Sequence, residues 1–248
     1  TGVVEAIDPK RTLEAALRLQ PEARDVLVIT DETLTGKAIE NSARKAFEPF
    51  QERLRVRYMG DMTMDGLQEA VSSLPPYTIV FLFVFNRDKN GHNFTHEESL
   101  RRIAEYCNAP IYGPWTFYLG HGIVGGMLTS GEMQGRTAAR LARRVLEGEP
   151  AESVPVITES PNRYMFDHAQ LSAHHLPMDK LPPGSVIMNQ PVSFYDTYRY
   201  PIWVTIILLI GETAIIVLLL VNIRRRRHAE KALISSEQRY RMLIETIS

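Results

Sequence analysis

Along the first two thirds of the chain, apolar positions recur with two alternating periods, short runs of strand type and longer stretches of helix type. "RDVLVIT" (24–30) is a brief β-rich apolar run. Residues 36–47 then follow helical spacing, with Ala38, Ile39, Ala43, Ala46 and Phe47 available for a buried face. "RLRVRYM" (53–59) alternates polar and apolar, which suits a half-exposed strand. A helix is predicted over 64–72, ahead of Pro75 and Pro76. "TIVFLFVF" (78–85) is apolar throughout, as a central parallel strand is. Another helix, 97–106, precedes a strand in "APIYG" (109–113). This βαβα rhythm within residues 1–176 predicts an α/β fold built on a doubly wound parallel sheet.

The periodicity gives way at 202–223, "IWVTIILLIGETAIIVLLLVNI", which is apolar on all sides. As a helix it extends about 33 Å at 1.5 Å per residue, enough to cross a hydrocarbon core of about 30 Å. Arg224, Arg225, Arg226 and Arg227 flank one end. Phe194, Tyr195, Tyr198, Tyr200 and Trp203 flank the other as an interfacial belt. By the positive-inside rule, residues 1–201 lie outside a bacterial inner membrane and 224–248 in the cytoplasm. Glu212 sits near mid-span, where charge is costly, beside Gly211, and a helix–helix contact would relieve it.

Beyond the arginines, Ala229, Leu233, Ser236, Tyr240, Leu243 and Ile247 are spaced 4, 3, 4, 3, 4. That is the a/d seam of a coiled coil, or one face of an amphipathic helix. With Glu212 it points to a homodimer. Pro177, Pro182, Pro183, Pro191 and Pro201 mark 177–201 as a stiff, partly extended juxtamembrane connector.

Composition trims the function classes. The net charge of −1 gives no basic surplus for nucleic acid. One cysteine, Cys107, supports neither an intrachain disulfide nor a cysteine-based metal site. The chain opens Thr-Gly-Val-Val, without an initiator Met or signal-peptide pattern, and ends within a helical pattern, so it reads as a piece of a longer protein.

"GHGIVGG" (120–126) fits G-x-G-x-x-G, with Glu147 placed like a ribose-binding acid. A dinucleotide turn must open directly into a helix, whereas here "IVGGMLTS" continues apolar and β-branched, with the next helix near Gly131. Tight bending and close backbone packing explain these glycines better, and no cofactor is assigned. His92 and His96 are four apart, but His92 falls in the loop "DKNGHNFT", so no metal is assigned either. His174 and His175 lack a carboxylate at ligand spacing. Ligands of doubly wound sheets bind outside the carboxyl ends of the strands. That selects Thr30, Asp31, Glu32, Asn86, Arg87, Trp115, Thr116 and Tyr118, a set suited to a small polar or zwitterionic molecule.

"TGVVEAIDPKRTLEAALRLQPEARDVLVIT", "NAPIYGPWTFYLGHGIVGG" and "GRTAARLARRVLEGEPAESVPVITESPNRYMFDHAQL" resemble the ABC-transporter substrate-binding-like family, which has the type I periplasmic binding protein fold. "SSEQRYRMLIETIS" resembles the lead-in helix of PAS domains in bacterial sensor proteins. The first resemblance implies two α/β lobes joined by crossover strands and closing on a ligand. Residues 1–4 would then enter the second lobe, 25–130 would form it, and 131–176 would return toward the first lobe, which is mostly missing. Together the resemblances imply a sensing region whose output, a histidine kinase or cyclic-dinucleotide enzyme, lies outside this chain. Its ligand would be an amino acid or small aromatic metabolite. Two other readings stand beside it: a membrane-tethered binding component of an uptake transporter, and an anchored enzyme using Asp31, Glu32, Arg87 or Asp88.

Overall fold

The computed structural model describes residues 1–191 and 194–247, with side chains omitted at 196, 232, 234 and 237–247. It divides into two units, Thr1–Gln190 and Pro191–Ser248.

The first unit is built on parallel strands β2 (Asp25–Ile29), β3 (Arg55–Met59), β4 (Thr78–Leu82), β5 (Ile111–Tyr112) and β6 (Ile123–Leu128). Helices α1 (Pro9–Leu19), α2 (Leu34–Phe47), α3 (Met64–Ser72), α4 (His96–Tyr106) and α5 (Gly131–Leu146) alternate with them, and β1 (Gly2–Val3) precedes them all. After α5 come β7 (Val156–Ile157), β8 (Arg163–Asp167), α6 (His168–Ala173) and β9 (Val186–Met188). The main sheet runs β3-β2-β4-β5-β6-β8-β9, while β1 and β7 form a separate parallel pair.

Side-chain alternation explains why both sheet faces are covered. On β2, Val26 and Val28 join Leu13, Phe47, Phe81 and Phe166 in one core, while Leu27 and Ile29 join Leu67, Leu82, Leu100 and Ile103 in the other. Each large apolar side chain buried this way contributes roughly 1.5–3 kcal/mol. β2 and β4 are buried at every residue, whereas β3 at the sheet edge alternates between exposed and half-buried positions. On α2, Ala43 and Phe47 are buried, but Ala38 is exposed and Gly36 takes the inner position against Asp31.

The glycines of 120–126 run into β6 rather than turning into a helix. A Cβ on Gly125 would lie 2.1 Å from the Met165 carbonyl oxygen, and one on Gly126 would lie 2.5 Å from Thr12 Cγ2. Only glycine lets β8 and α1 approach β6 this closely. Thr12 is itself buried, accepting the Met127 amide at 3.0 Å.

Two sequence expectations change. β8 pairs antiparallel with β6 from Gly125↔Phe166 to Leu128↔Arg163, so the chain after β7 rejoins this lobe instead of leaving it. The segment read as a connector begins within the lobe too. β9 pairs with β8, and Met178 and Leu181 pack on the core, because apolar residues between the prolines find buried neighbours.

In the second unit, α7 (Phe194–Ile247) is one helix of 54 residues, about 80 Å long at 1.5 Å per residue. The end of the expected extended connector, from Phe194 on, is therefore helical. Between Phe194 and Tyr200 there is neither glycine nor proline, and the helix continues through Pro201 although that residue has no amide to give the ladder. Within α7, Thr197–Lys231 contains an 18-residue window with a mean hydropathy of 2.8, long and apolar enough to cross a membrane. Trp203 donates from Nε1 to the Tyr195 hydroxyl at 3.4 Å.

Candidate ligand-binding edge

Four helices start at the carboxyl edge of the sheet, each capped by a hydroxyl that the sequence supplies. Thr33, Thr63, Thr95 and Ser130 accept the amides of Gly36, Gly66, Glu98 and Met133. These caps fix the loops 30–33, 60–63, 86–95 and 129–130 along one rim. Thr95 and Glu98 also have capping-box spacing, which sets His96 at the first helical position of α4.

Asp31 holds the rim together from below. Its Oδ1 accepts the Thr33 amide at 3.1 Å and the Thr33 hydroxyl, and its Oδ2 accepts the Asn86 amide at 2.8 Å. Thr30 donates to Glu40 at 3.1 Å, and Glu40 pairs with Arg44 at 2.6 Å. The Arg44 guanidinium lies 3.6 Å from the centre of the Tyr58 ring.

Two surfaces open on this rim. One is a polar pocket of about 320 Å³, lined in part by Glu32, Thr33, Gly60, Asp61, Arg87 and Lys89. Glu32 is paired with Lys37 at 2.8 Å, and Asp61 with Lys89 at 2.9 Å. The other is aromatic. Trp115 and Phe117 stack at 5.6 Å with 12° between planes, and His96 lies 5.0 Å from Phe117. Tyr118 stands edge-on beneath Trp115, Phe117 and His96.

Hydrogen bonding assigns the histidine tautomer. The Tyr118 hydroxyl donates to the Phe83 carbonyl at 2.8 Å, so its single proton is committed. His96 Nδ1, at 3.4 Å, therefore donates to the Tyr118 oxygen, and Nε2 accepts the Asn86 side-chain amide at 3.3 Å. Asn86 Oδ1 is left buried without a hydrogen-bond partner. Burial pulls the His96 pKa below its ordinary value against the opposing charge of Asp31, which favours the neutral ring this pattern needs. Burial, then the Asp31 charge, pushes the Tyr118 phenol up, so it stays protonated.

Chemically, the rim offers a planar aromatic face and a polar pocket of mixed charge. Asp88 is buried like Asp31 and accepts the His92 amide at 2.9 Å. With their oxygens on backbone amides, neither carboxylate is set up as a general base. His92 leans toward Asp88 at 3.4 Å while His96 turns into the aromatic cluster, so the two histidines do not converge. Among the described residues there is no group of three or more His, Cys, Asp or Glu side chains placed to hold a metal ion.

Of the residues read from sequence, Glu32 and Arg87 line the pocket, while Asn86 and Trp115 belong to the aromatic surface. Thr116 is half-buried in the 3-10 turn that follows Trp115. Thr30, Asp31 and Tyr118 lie beneath the rim at 0%, 1% and 0% exposure, where their hydrogen bonds hold its loops. Sequence reasoning assigned no site role to Gly60, Asp61 or Lys89; it weighed His96 only as a metal ligand and had Phe117 in the 114–118 loop without selecting it. The capping box was the available signal for His96. On α7, Trp203, Glu212, Arg224, Arg225, Arg226, Arg227, Ala229 and Leu233 are exposed and Ser236 is half-buried. The side chains of Tyr240, Leu243 and Ile247 lie outside the described residues.

No protein-family model and no curated protein matches the chain. Solved structures do. The open, ligand-free CD0873 of Clostridium difficile, a substrate binding protein with adhesive properties, aligns with a TM-score of 0.60 at 15% identity, over 77% of this chain and 63% of that one. A conserved domain protein of Vibrio cholerae aligns at 0.54 and 12% identity, over 75% and 62%. An ABC domain from Streptococcus pneumonia, in complex with L-Trp, aligns at 0.53 and 14%, over 75% and 64%. The chain thus spans less than two thirds of each neighbour's length, and at these identities the likeness is one of fold. The first unit has a substrate-binding-protein fold.

Proposed function

We propose that this chain is the extracytoplasmic small-molecule sensing region of a bacterial transmembrane receptor, homodimeric through Glu212 and the α7 seam. A ligand seated on the rim moves the lobe, and α7 carries the change to a cytoplasmic output of PAS and kinase or cyclase type. The observation that carries the reading is a pairing within one chain. An aromatic rim beside a polar pocket is followed by a helix that runs without a break past Arg224–Arg227 to Ile247. A simple anchor has no need of that continuation. The neighbour bound to L-Trp supports a ligand of amino-acid size. In this reading β1 and β7 are the crossover strands, 1–190 is the ligand-binding domain, and the connector is reduced to 191–201.

The neighbours described as a substrate binding protein and an ABC domain favour a second reading, a tethered component of an uptake transporter. In that case α7 beyond the arginines would be dispensable.

Trp115 and Trp203 are the two tryptophans of the chain, so Trp203→Phe leaves Trp115 as sole indole reporter. Titrating that variant with amino acids and small aromatic acids, with calorimetry for L-tryptophan, should give saturable quenching or heat. Silence across the whole panel would defeat ligand sensing.

A further inference from the structure

Asp167 ends β8 with a side chain 2% exposed, and its oxygens join three separate segments. Oδ1 accepts the Ala169 amide at 2.8 Å, capping α6. Oδ2 accepts the Gly120 amide at 3.0 Å and the Asn189 side-chain amide at 2.9 Å. A cap for α6 requires only the first oxygen.

The two donors on Oδ2 come from places that matter. Gly120 follows the 3-10 turn Thr116–Tyr118, whose residues Phe117 and Tyr118 belong to the aromatic surface. It has φ +81, so glycine is required there. Asn189 comes directly after β9, at φ 55, and two residues before Pro191, where the second unit begins. A Cβ on Gly120 would lie 3.7 Å from Asn189 Nδ2, so the two segments are also adjacent without the carboxylate.

We propose that Asp167 is a positioning residue that couples the ligand rim to the chain's exit from the lobe. This rests on the receptor reading and names its internal linkage. A displaced 115–120 segment either draws Oδ2 with it or releases it, and both outcomes reset Asn189. Bonds from amides to a carboxylate are stronger than those between neutral groups, so the two segments are tied through one oxygen. Tyr118, anchored on Phe83, makes the intervening turn a lever with a fixed point.

The coupling can be measured without a ligand, in the full chain in lipid nanodiscs carrying Trp203→Phe. Asn189→Ala removes the exit-side donor, and Asn189→Asp places a second carboxylate against Oδ2. Both should speed amide exchange across 115–121 about tenfold and raise acrylamide quenching of Trp115 about twofold, with β2 and β4 unchanged. Ser185→Ala, which removes the Ser185–Pro182 bond at 2.6 Å on the same segment, is the control and should do neither. A change confined to Gly120, with Trp115 quenching as in the control, would reduce Asp167 to a local staple and overturn the proposal. A failed ligand panel would overturn the receptor reading and leave this result standing.

Discussion

Asp31 accepts the backbone amide of Asn86 at 2.8 Å, tying the loop after β2 to the end of the β4 run. The bond crosses 55 residues of sequence and aligns the polar pocket with the aromatic surface. Asp31→Ala would strand buried donors at Thr33 and Asn86 and should cost about 2–4 kcal/mol by urea unfolding. Asp31→Asn should lose less, since one oxygen remains. A loss within experimental error for both would contradict the scaffold role.

Phe117 is the exposed half of the stacked pair with Trp115, at 42% exposure, and it also covers His96. Phe117→Ala should weaken binding of any aromatic ligand about three- to tenfold while leaving unfolding nearly unchanged, following the usual worth of a ring contact. Calorimetry on variant and parent gives both numbers.

The His96 ring gives a pH signature. Burial, opposed by the Asp31 charge, lowers its folded pKa relative to an ordinary value of about 6.5. The unfolded chain therefore binds the extra proton first, and stability falls with pH in that window. The contribution is complete above about pH 6.5 and is lost as pH drops through the lowered folded value. His174 shifts the same way, by burial and then by His175, so wild type and His96→Gln must be compared. Urea midpoints at several pH values should fall more steeply for wild type. Parallel curves would remove His96 from the account.

Gly125→Ala drives a methyl into the Met165 carbonyl at a φ of +136 and should destabilise by about 3 kcal/mol or more. Gly135→Ala, inside α5 with open space around its Cα, should instead stabilise by about 0.5–1 kcal/mol. Thermal melts of the two variants separate close packing from mere tolerance of glycine.

The doubly wound sheet was legible because β2 and β4 are buried on both faces and therefore apolar at nearly every position, while β3 announces its edge by alternation. The glycines were legible for what they cannot do, since no helix follows them directly. The return of β8 into the same sheet was not, because antiparallel pairing with β6 depends on backbone approach at Gly125 and Gly126 rather than on any pattern in "RYMFD". The rim was half legible. Strand ends pointed to the loops that form the rim, but sequence cannot tell Trp115, which is half-buried, from Tyr118, three residues on, which is fully buried with its hydroxyl committed to Phe83. Likewise Asp31 and Glu32 are neighbours with opposite fates, one buried under the rim and the other in the pocket.

The account stands on the two ends of α7 lying on opposite sides of a bilayer. In a Cys107→Ser background, Glu105→Cys on the lobe and His228→Cys beyond the arginines can each be probed in intact cells with a membrane-impermeant maleimide. The account predicts labelling at 105 in whole cells with a permeable outer membrane, and at 228 only after the inner membrane is opened. Labelling of both from the same side would contradict it.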